Sequence, residues 1–161
     1  NPSLLIDLAE CGLASIIKST HAIEIGAMTC HADVAKNRDV ANVNPGLSML
    51  AAGIGDRQVR NCGTIGGSLA NNDPAACYPS AVLALSGTIH TNKRDIAAHE
   101  FFTGLFETVL NDDELITAVT LPNPLKSAYV KFPNPASRYA MVGVFVAKFA
   151  DRVQVAVKKI S

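Results

Sequence analysis

The chain has no tryptophan, few aromatic residues (6%) and few charged ones (17%), and each scarcity removes a class of function. Nucleic-acid platforms need aromatic rings for base stacking and an excess of cations for the phosphate backbone. Here fourteen Lys and Arg balance fourteen Asp and Glu, so neither nucleic acid nor an anionic membrane surface is an expected partner. Long apolar runs are missing as well. Stretches such as Ala140 to Ala147 fall well short of the ~20 residues of a membrane span, and no basic-then-apolar leader opens the chain, which predicts a cytoplasmic protein. No C-x-x-C pair joins any of Cys11, Cys30, Cys62 and Cys77, so zinc, an iron–sulfur cluster or a redox disulfide is not expected within this chain. Cys30 beside His31 reads as a packed thiol next to a surface histidine, and no metal site is expected. His21, His31, His90 and His99 are scattered, and all four are expected at the surface. No Ser-His-Asp, paired-carboxylate or Cys-His arrangement is visible, so no catalytic residue is assigned.

What is present is apolar bulk: 48% hydrophobic residues over 161 positions suffice for a substantial core. Leu4 to Leu8 reads as a buried strand with nothing before it, and the first residue is Asn1, which predicts a piece excised from a longer chain. Ala14 to Lys18 and Ala22 to Met28 flank a turn-prone Ser19-Thr20-His21 and should pair as a hairpin. Thr29 is expected to cap a helix through His31, Val34 and Ala35. Asn44-Pro45 is a helix start, with Leu47, Leu50, Ala51 and Ile54 at helical spacing and Gly53 and Gly55 at its end. From Asp56 to Asn72 periodicity gives way to glycine and small polar residues, which predicts a loop. Asp73-Pro74 restarts a helix, with a kink or second start near Tyr78-Pro79, continuing to Gly87. Thr88 to Thr91 is a short strand, and Phe101, Phe102, Leu105 and Phe106 form an expected core cluster. Glu114 to Leu121 is a half-buried strand that stops at Pro122-Asn123-Pro124, the predicted linker. Beyond it Ala128 to Phe132, Tyr139 to Phe149 and Arg152 to Ile160 read as strands, the last two a hairpin.

The stretch Arg57 to Pro74 has what a diphosphate site needs. Gly66 and Gly67 lack side chains, so backbone amides can approach an oxyanion, and Thr64 and Ser68 add hydroxyls. Ordinary turns use the same residues, so the pattern alone leaves a plain turn open. It is not a P-loop, because no Gly-Lys-Ser/Thr follows, and it lacks the G-x-G-x-x-G dinucleotide spacing.

Val59 to Ala76 resembles the second flavin-binding signature, V-R-N-x-G-T-I-G-G-S-L-A, of the flavoprotein subunits of molybdenum hydroxylases of the carbon monoxide dehydrogenase and xanthine dehydrogenase type. Ile25-Gly26-Ala27-Met28-Thr29 is similar to the family's I-G-A-x-T turn, Phe101-Phe102-Thr103-Gly104 to its F-F-x-G, and Asp113-Glu114-Leu115-Ile116 to its D-E-[LI]-[IL]. Tyr129 to Phe132 with Pro135 to Ala140 is similar to Y-x-K-F-x-x-P-A-S-R-Y-A. The resemblance covers nearly the whole chain in order. It implies an α+β fold, a mixed, mainly antiparallel sheet with helices on one side over 1–122, and then the start of a small β-rich C-terminal domain over 127–161. It implies FAD as cofactor, with Thr64, Ile65, Gly66, Gly67 and Ser68 along the diphosphate, backbone amides as main donors, Asn71 at the cofactor, Ile116 pressing on its ring system and Lys131 near the isoalloxazine. Cys77 stands where many relatives carry aspartate and is expected to be buried. It further implies electron transfer to an acceptor, with molybdopterin on a large partner subunit and 2Fe–2S clusters on a small one. The family's first signature, A-G-G-x-S, is absent, so this fragment is expected to hold FAD weakly or not at all. A stand-alone flavin oxidoreductase of the same wider group, and a non-catalytic scaffold, stay open as alternatives.

Overall fold

The computed structural model describes residues 4–159. Chain order begins with β1 (Ile16–Lys18), β2 (Ala22–Gly26), α1 (His31–Lys36), α2 (Arg38–Val43) and α3 (Pro45–Ala52). α4 (Arg57–Cys62), α5 (Ile65–Asn71), α6 (Tyr78–Ala84), β3 (Thr88–Thr91), β4 (Asp95–Ala97) and α7 (Ala98–Phe101) follow. β5 (Phe102–Gly104), β6 (Glu107–Thr108), β7 (Ile116–Pro122), β8 (Lys126–Pro133), β9 (Ala140–Lys148) and β10 (Val153–Lys159) complete the α+β architecture.

Five strands form one sheet in the order β1-β2-β7-β3-β4, and three form another in the order β10-β9-β8. The expected hairpins are present: Ile16 faces Ile25 across β1 and β2, and Val155 faces Val146 across β10 and β9. Every pairing between named strands among the described residues is antiparallel. β7 is inserted between β2 and β3, so a strand late in sequence closes the centre of the first sheet. Alternation does the sorting: Ile23 and Ile25 of β2, Val119 and Leu121 of β7 and Ile89 of β3 are fully buried. Helices cover that face, with α5 against β7 and β2 and α3 and α6 against the second sheet. Phe145 and Ala147 of β9 join the same core as Leu47 and Tyr78, each buried large side chain contributing about 1.5–3 kcal/mol. The outward face of the second sheet leaves Val130, Phe132, Val155 and Val157 exposed. No helix among the described residues is long and apolar enough to cross a membrane.

Several expectations need correction. Leu4 to Leu8 is not a strand; Leu4, Leu5 and Ile6 are exposed and lack a neighbouring strand to pair their amides. Thr29 does not cap α1: its hydroxyl donates to the Ser15 carbonyl at 3.0 Å, and Cys30 holds the cap position without a side-chain bond. Asp73-Pro74 makes a turn, and the helix starts only at Tyr78, with Pro79 in its first turn. Of the aromatic cluster only Phe101 is fully buried, whereas Leu105 and Phe106 lie in the turn between β5 and β6 and are exposed. The expected last strand ends at Lys159, and Ile160 lies outside the described residues.

The largest correction concerns Asp56 to Asn72, which is not a loop but two short helices in succession. Asp56 Oδ1 accepts from the Val59 amide at 2.8 Å and Thr64 Oγ1 from the Gly67 amide at 3.1 Å, so each helix has its own N-cap. The glycines hid the second helix because they erase apolar periodicity, yet Ile65 and Leu69 sit one turn apart and are fully buried.

Candidate functional site

A cleft of about 350 Å³ runs along α4 and α5, and β8 with the turn after it closes its far side. From α5 and its cap come Thr64, Gly67, Ser68 and Asn71; from β8 and its turn come Lys131, Arg138 and Tyr139. Of the eight residues expected at the cofactor, five line this cleft: Thr64, Gly67, Ser68, Asn71 and Lys131. Ile65 and Gly66 do not; both are buried on the opposite side of α5. Ile116 does not either, because it opens the central strand β7 and is packed into the core at 7% exposure.

Four of the five backbone amides expected as donors are engaged within the chain. The Ile65 amide donates to the Thr29 carbonyl at 3.2 Å, Gly66 to Ala27 at 2.9 Å and Ser68 to Thr64 at 3.0 Å, while Gly67 is taken by the Thr64 hydroxyl. The cause is the close approach of α5 to the turn after β2. A Cβ on Gly66 would lie 2.5 Å from the Ala27 Cβ and 2.8 Å from its carbonyl oxygen, so Gly66 serves packing. What faces the cleft is side-chain chemistry. Thr64 Oγ1 accepts from Gly67 and keeps its own hydrogen to donate, and Ser68 Oγ and the Asn71 amide make no side-chain hydrogen bond among the described residues.

Lys131 is held from behind. Its ammonium donates to the Gly53 carbonyl at 2.5 Å and the Arg138 carbonyl at 2.9 Å, with Cys77 Sγ at 4.0 Å. Asp73 is the one carboxylate in the lining, and its Oδ1 accepts from the Ala75 amide at 2.7 Å. The cation is therefore held in the wall by neutral carbonyls and forms no ion pair among the described residues. Arg138 adopts a left-handed φ of 61°, and the turn it belongs to is tied by Asn134 Oδ1, which accepts from Ala136 and Ser137.

His31 was expected at the surface and is instead 5% exposed at the inner wall of the cleft, tilted against Tyr78 with ring centroids 5.3 Å apart. Burial holds its pKa down at about 4, so the ring is neutral at physiological pH. Its Nδ1 and the Tyr78 hydroxyl are buried without partners among the described residues. Burial pushes the Tyr78 hydroxyl far up. Sequence spacing could have found His31, since it lies three residues before buried Val34 on the same face of α1. Arg138 and Tyr139 stand within the recognised P-A-S-R-Y-A segment, but nothing in their spacing brings them to the glycine-rich stretch. Cys77 is buried, as expected.

A family model described as the FAD binding domain in molybdopterin dehydrogenase matches residues 1–124. The glyceraldehyde dehydrogenase medium chain of Sulfolobus acidocaldarius is 34% identical over 154 residues, which is 91% of this chain and 55% of that one. Subunit alpha of the 6-hydroxypseudooxynicotine dehydrogenase complex of Paenarthrobacter nicotinovorans is 38% identical over 150 residues, 88% of this chain and 51% of that one. Among solved structures, carbon monoxide dehydrogenase from Hydrogenophaga pseudoflava superposes with a TM-score of 0.82 at 28% identity, covering 91% of this chain and 55% of that one. The chain spans about half the length of the curated relatives it matches.

Proposed function

The chain belongs to the family of FAD-binding domains in molybdopterin dehydrogenases, and from that premise we propose that it forms one wall of an FAD site in the medium subunit of a molybdenum hydroxylase. The observation that carries this reading is that the hydroxyl and amide side chains of Thr64, Ser68 and Asn71 face, across one cleft, a Lys131 that forms no ion pair among the described residues. The residues fit the group: neutral donors suit a diphosphate, a cation suits the electron-rich end of a flavin, and buried His31 keeps an unpartnered nitrogen beside the cleft. Gly67 leaves the cap of α5 open to approach. When bound, FAD supplies the exchange of electrons, accepting them singly and releasing them in pairs.

This chain's own residues do the holding. Thr64 and Ser68 orient an anionic bridge, Asn71 offers an amide at the end of α5, and Lys131 favours negative charge near it without moving a proton. We further infer, from the family resemblance, electron transfer in the cytoplasm between partner subunits carrying 2Fe–2S clusters and molybdopterin and a final acceptor; relatives named as a medium chain and as a complex subunit support a multi-subunit setting. Within the chain, we infer a division at Pro122 to Pro124 into a cofactor-binding unit, 1–122, and the start of a second domain, 127–161; the family match ends at Pro124, which supports it.

Titrating FAD into the chain tests the reading. Quenched flavin fluorescence and a red-shifted absorbance band are expected, and Ser68→Ala with Asn71→Ala should weaken binding at least about fivefold, the loss of one or two hydrogen bonds. Binding undiminished in that double variant overturns it.

A further inference from the structure

On the side of α4 away from the cleft lies a second depression of about 360 Å³. Its floor is small, with Ala32, Ala35 and Ala52, and its rim is basic, with Lys36 from α1 and Arg57 and Arg60 from α4. Helix geometry explains the split: Val59 and Cys62 turn one face of α4 to the cleft, while Arg57 and Arg60 turn the other to the depression.

Three features single out this place. No carboxylate lines it, although the chain as a whole carries no net charge. Nearby Asp56 is occupied as the cap of α4, and none of Lys36, Arg57 and Arg60 forms an ion pair among the described residues. Arg60 is also fixed in advance, since its Nη1 donates to the Ile54 carbonyl at 2.9 Å and the Gly55 carbonyl at 3.0 Å. A preset guanidinium loses little freedom when it meets a carboxylate.

The character of the site decides between anions. A chelate for a small ion would aim buried polar groups at one point, whereas Lys36 and Arg57 are exposed around an open, shallow floor. Cations spread over two helices match carboxylates that are spread likewise. We propose that this depression is a docking site for an acidic segment of a partner protein, one that presents clustered Asp or Glu side chains. α4 has no buried residue of its own, so such a segment would also brace the helix that walls the cleft.

The test needs no flavin and so stands or falls apart from the FAD reading. An octaglutamate peptide is titrated into the full chain and followed by amide NMR, with inorganic pyrophosphate as a second probe. Peptide shifts should concentrate at Lys36 and at 57–61, and the affinity should fall about tenfold between about 50 mM and about 300 mM NaCl, as screening of a multiply charged contact requires. The double variant Lys36→Glu, Arg57→Glu should lose the shifts while keeping a folded spectrum; should it unfold, Lys36→Gln, Arg57→Gln should bind at least about fivefold more weakly. Shifts scattered over the surface, or undiminished in the variants, overturn the proposal. So does pyrophosphate binding at these residues more tightly than the peptide, because the site would then be one for small anions.

Discussion

His31 donates its backbone amide to the Gly63 carbonyl at 2.9 Å, and its imidazole lies so close that a Cβ on Gly63 would stand 2.6 Å from Nε2. The pair stitches the start of α1 to the C-terminal cap of α4, and it lets a neutral ring line the cleft where a larger neighbour would expel it. Gly63→Ala should therefore destabilise the fold by roughly 1–3 kcal/mol, the usual cost of overpacking. Denaturant unfolding measures this. A variant as stable as the parent would show that the ring moves aside freely.

The paired glycines should behave differently. A Cβ at Gly66 would meet the Ala27 backbone, which cannot yield, whereas at Gly67 the nearest atom is Thr64 Oγ1 at 3.1 Å. Gly66→Ala is expected to cost about 2 kcal/mol or more. Gly67→Ala should be near neutral for stability, since an alanine in a helix regains up to about 1 kcal/mol, yet it should impair FAD binding by crowding the cleft. If Gly66→Ala proved the milder change in thermal melts, the packing account would be wrong.

Acid should unfold the chain in two separable stages. His31 is held neutral in the fold, down at about 4, while in the unfolded chain it protonates near its ordinary ~6.5, so stability falls with pH across that interval. Glu114 is held down at about 2, chiefly by Arg94, whose Nε lies 2.9 Å away, with Thr91 and the Asn111 amide adding hydrogen bonds. Its contribution is complete above the unfolded carboxyl value near ~4.3 and is lost as pH falls from there toward about 2. Urea midpoints taken between pH 7 and 2.5 should show both slopes, with Glu114→Gln flattening the lower one and His31→Asn the upper. The same slopes in the variants would refute the assignment.

Asn44 joins the helices to the second sheet. Its Oδ1 accepts from the Leu47 amide at 3.2 Å as the cap of α3 and from the Ser127 hydroxyl at 2.6 Å, and that hydroxyl accepts from the Gly46 amide at 2.9 Å. Asn44→Ala should cost about 1–2 kcal/mol through the lost cap, with Ser127→Ala overlapping it in a double-mutant cycle. Strict additivity of the two would mean that they act independently.

Local chemistry in the sequence determined the hairpins, the Asn44-Pro45 helix start, the strand ending at Pro122 and the strands of the second sheet, because each depends on alternation, a cap or a turn within a few residues. The helices over 57–71 were hidden for the converse reason. Glycine carries no apolar signal, and the caps at Asp56 and Thr64 are visible only once a helix is being sought. Five of the eight anticipated site residues reach the cleft, and helical spacing from Val34 could have placed His31 inward, but sequence could not tell that Gly66 faces Ala27 or that Ile116 is shut into the core. Those outcomes, like the meeting of Lys131 with Gly53 across 78 positions, come from long-range packing, in which a residue's neighbours are chosen by the layers that close over it.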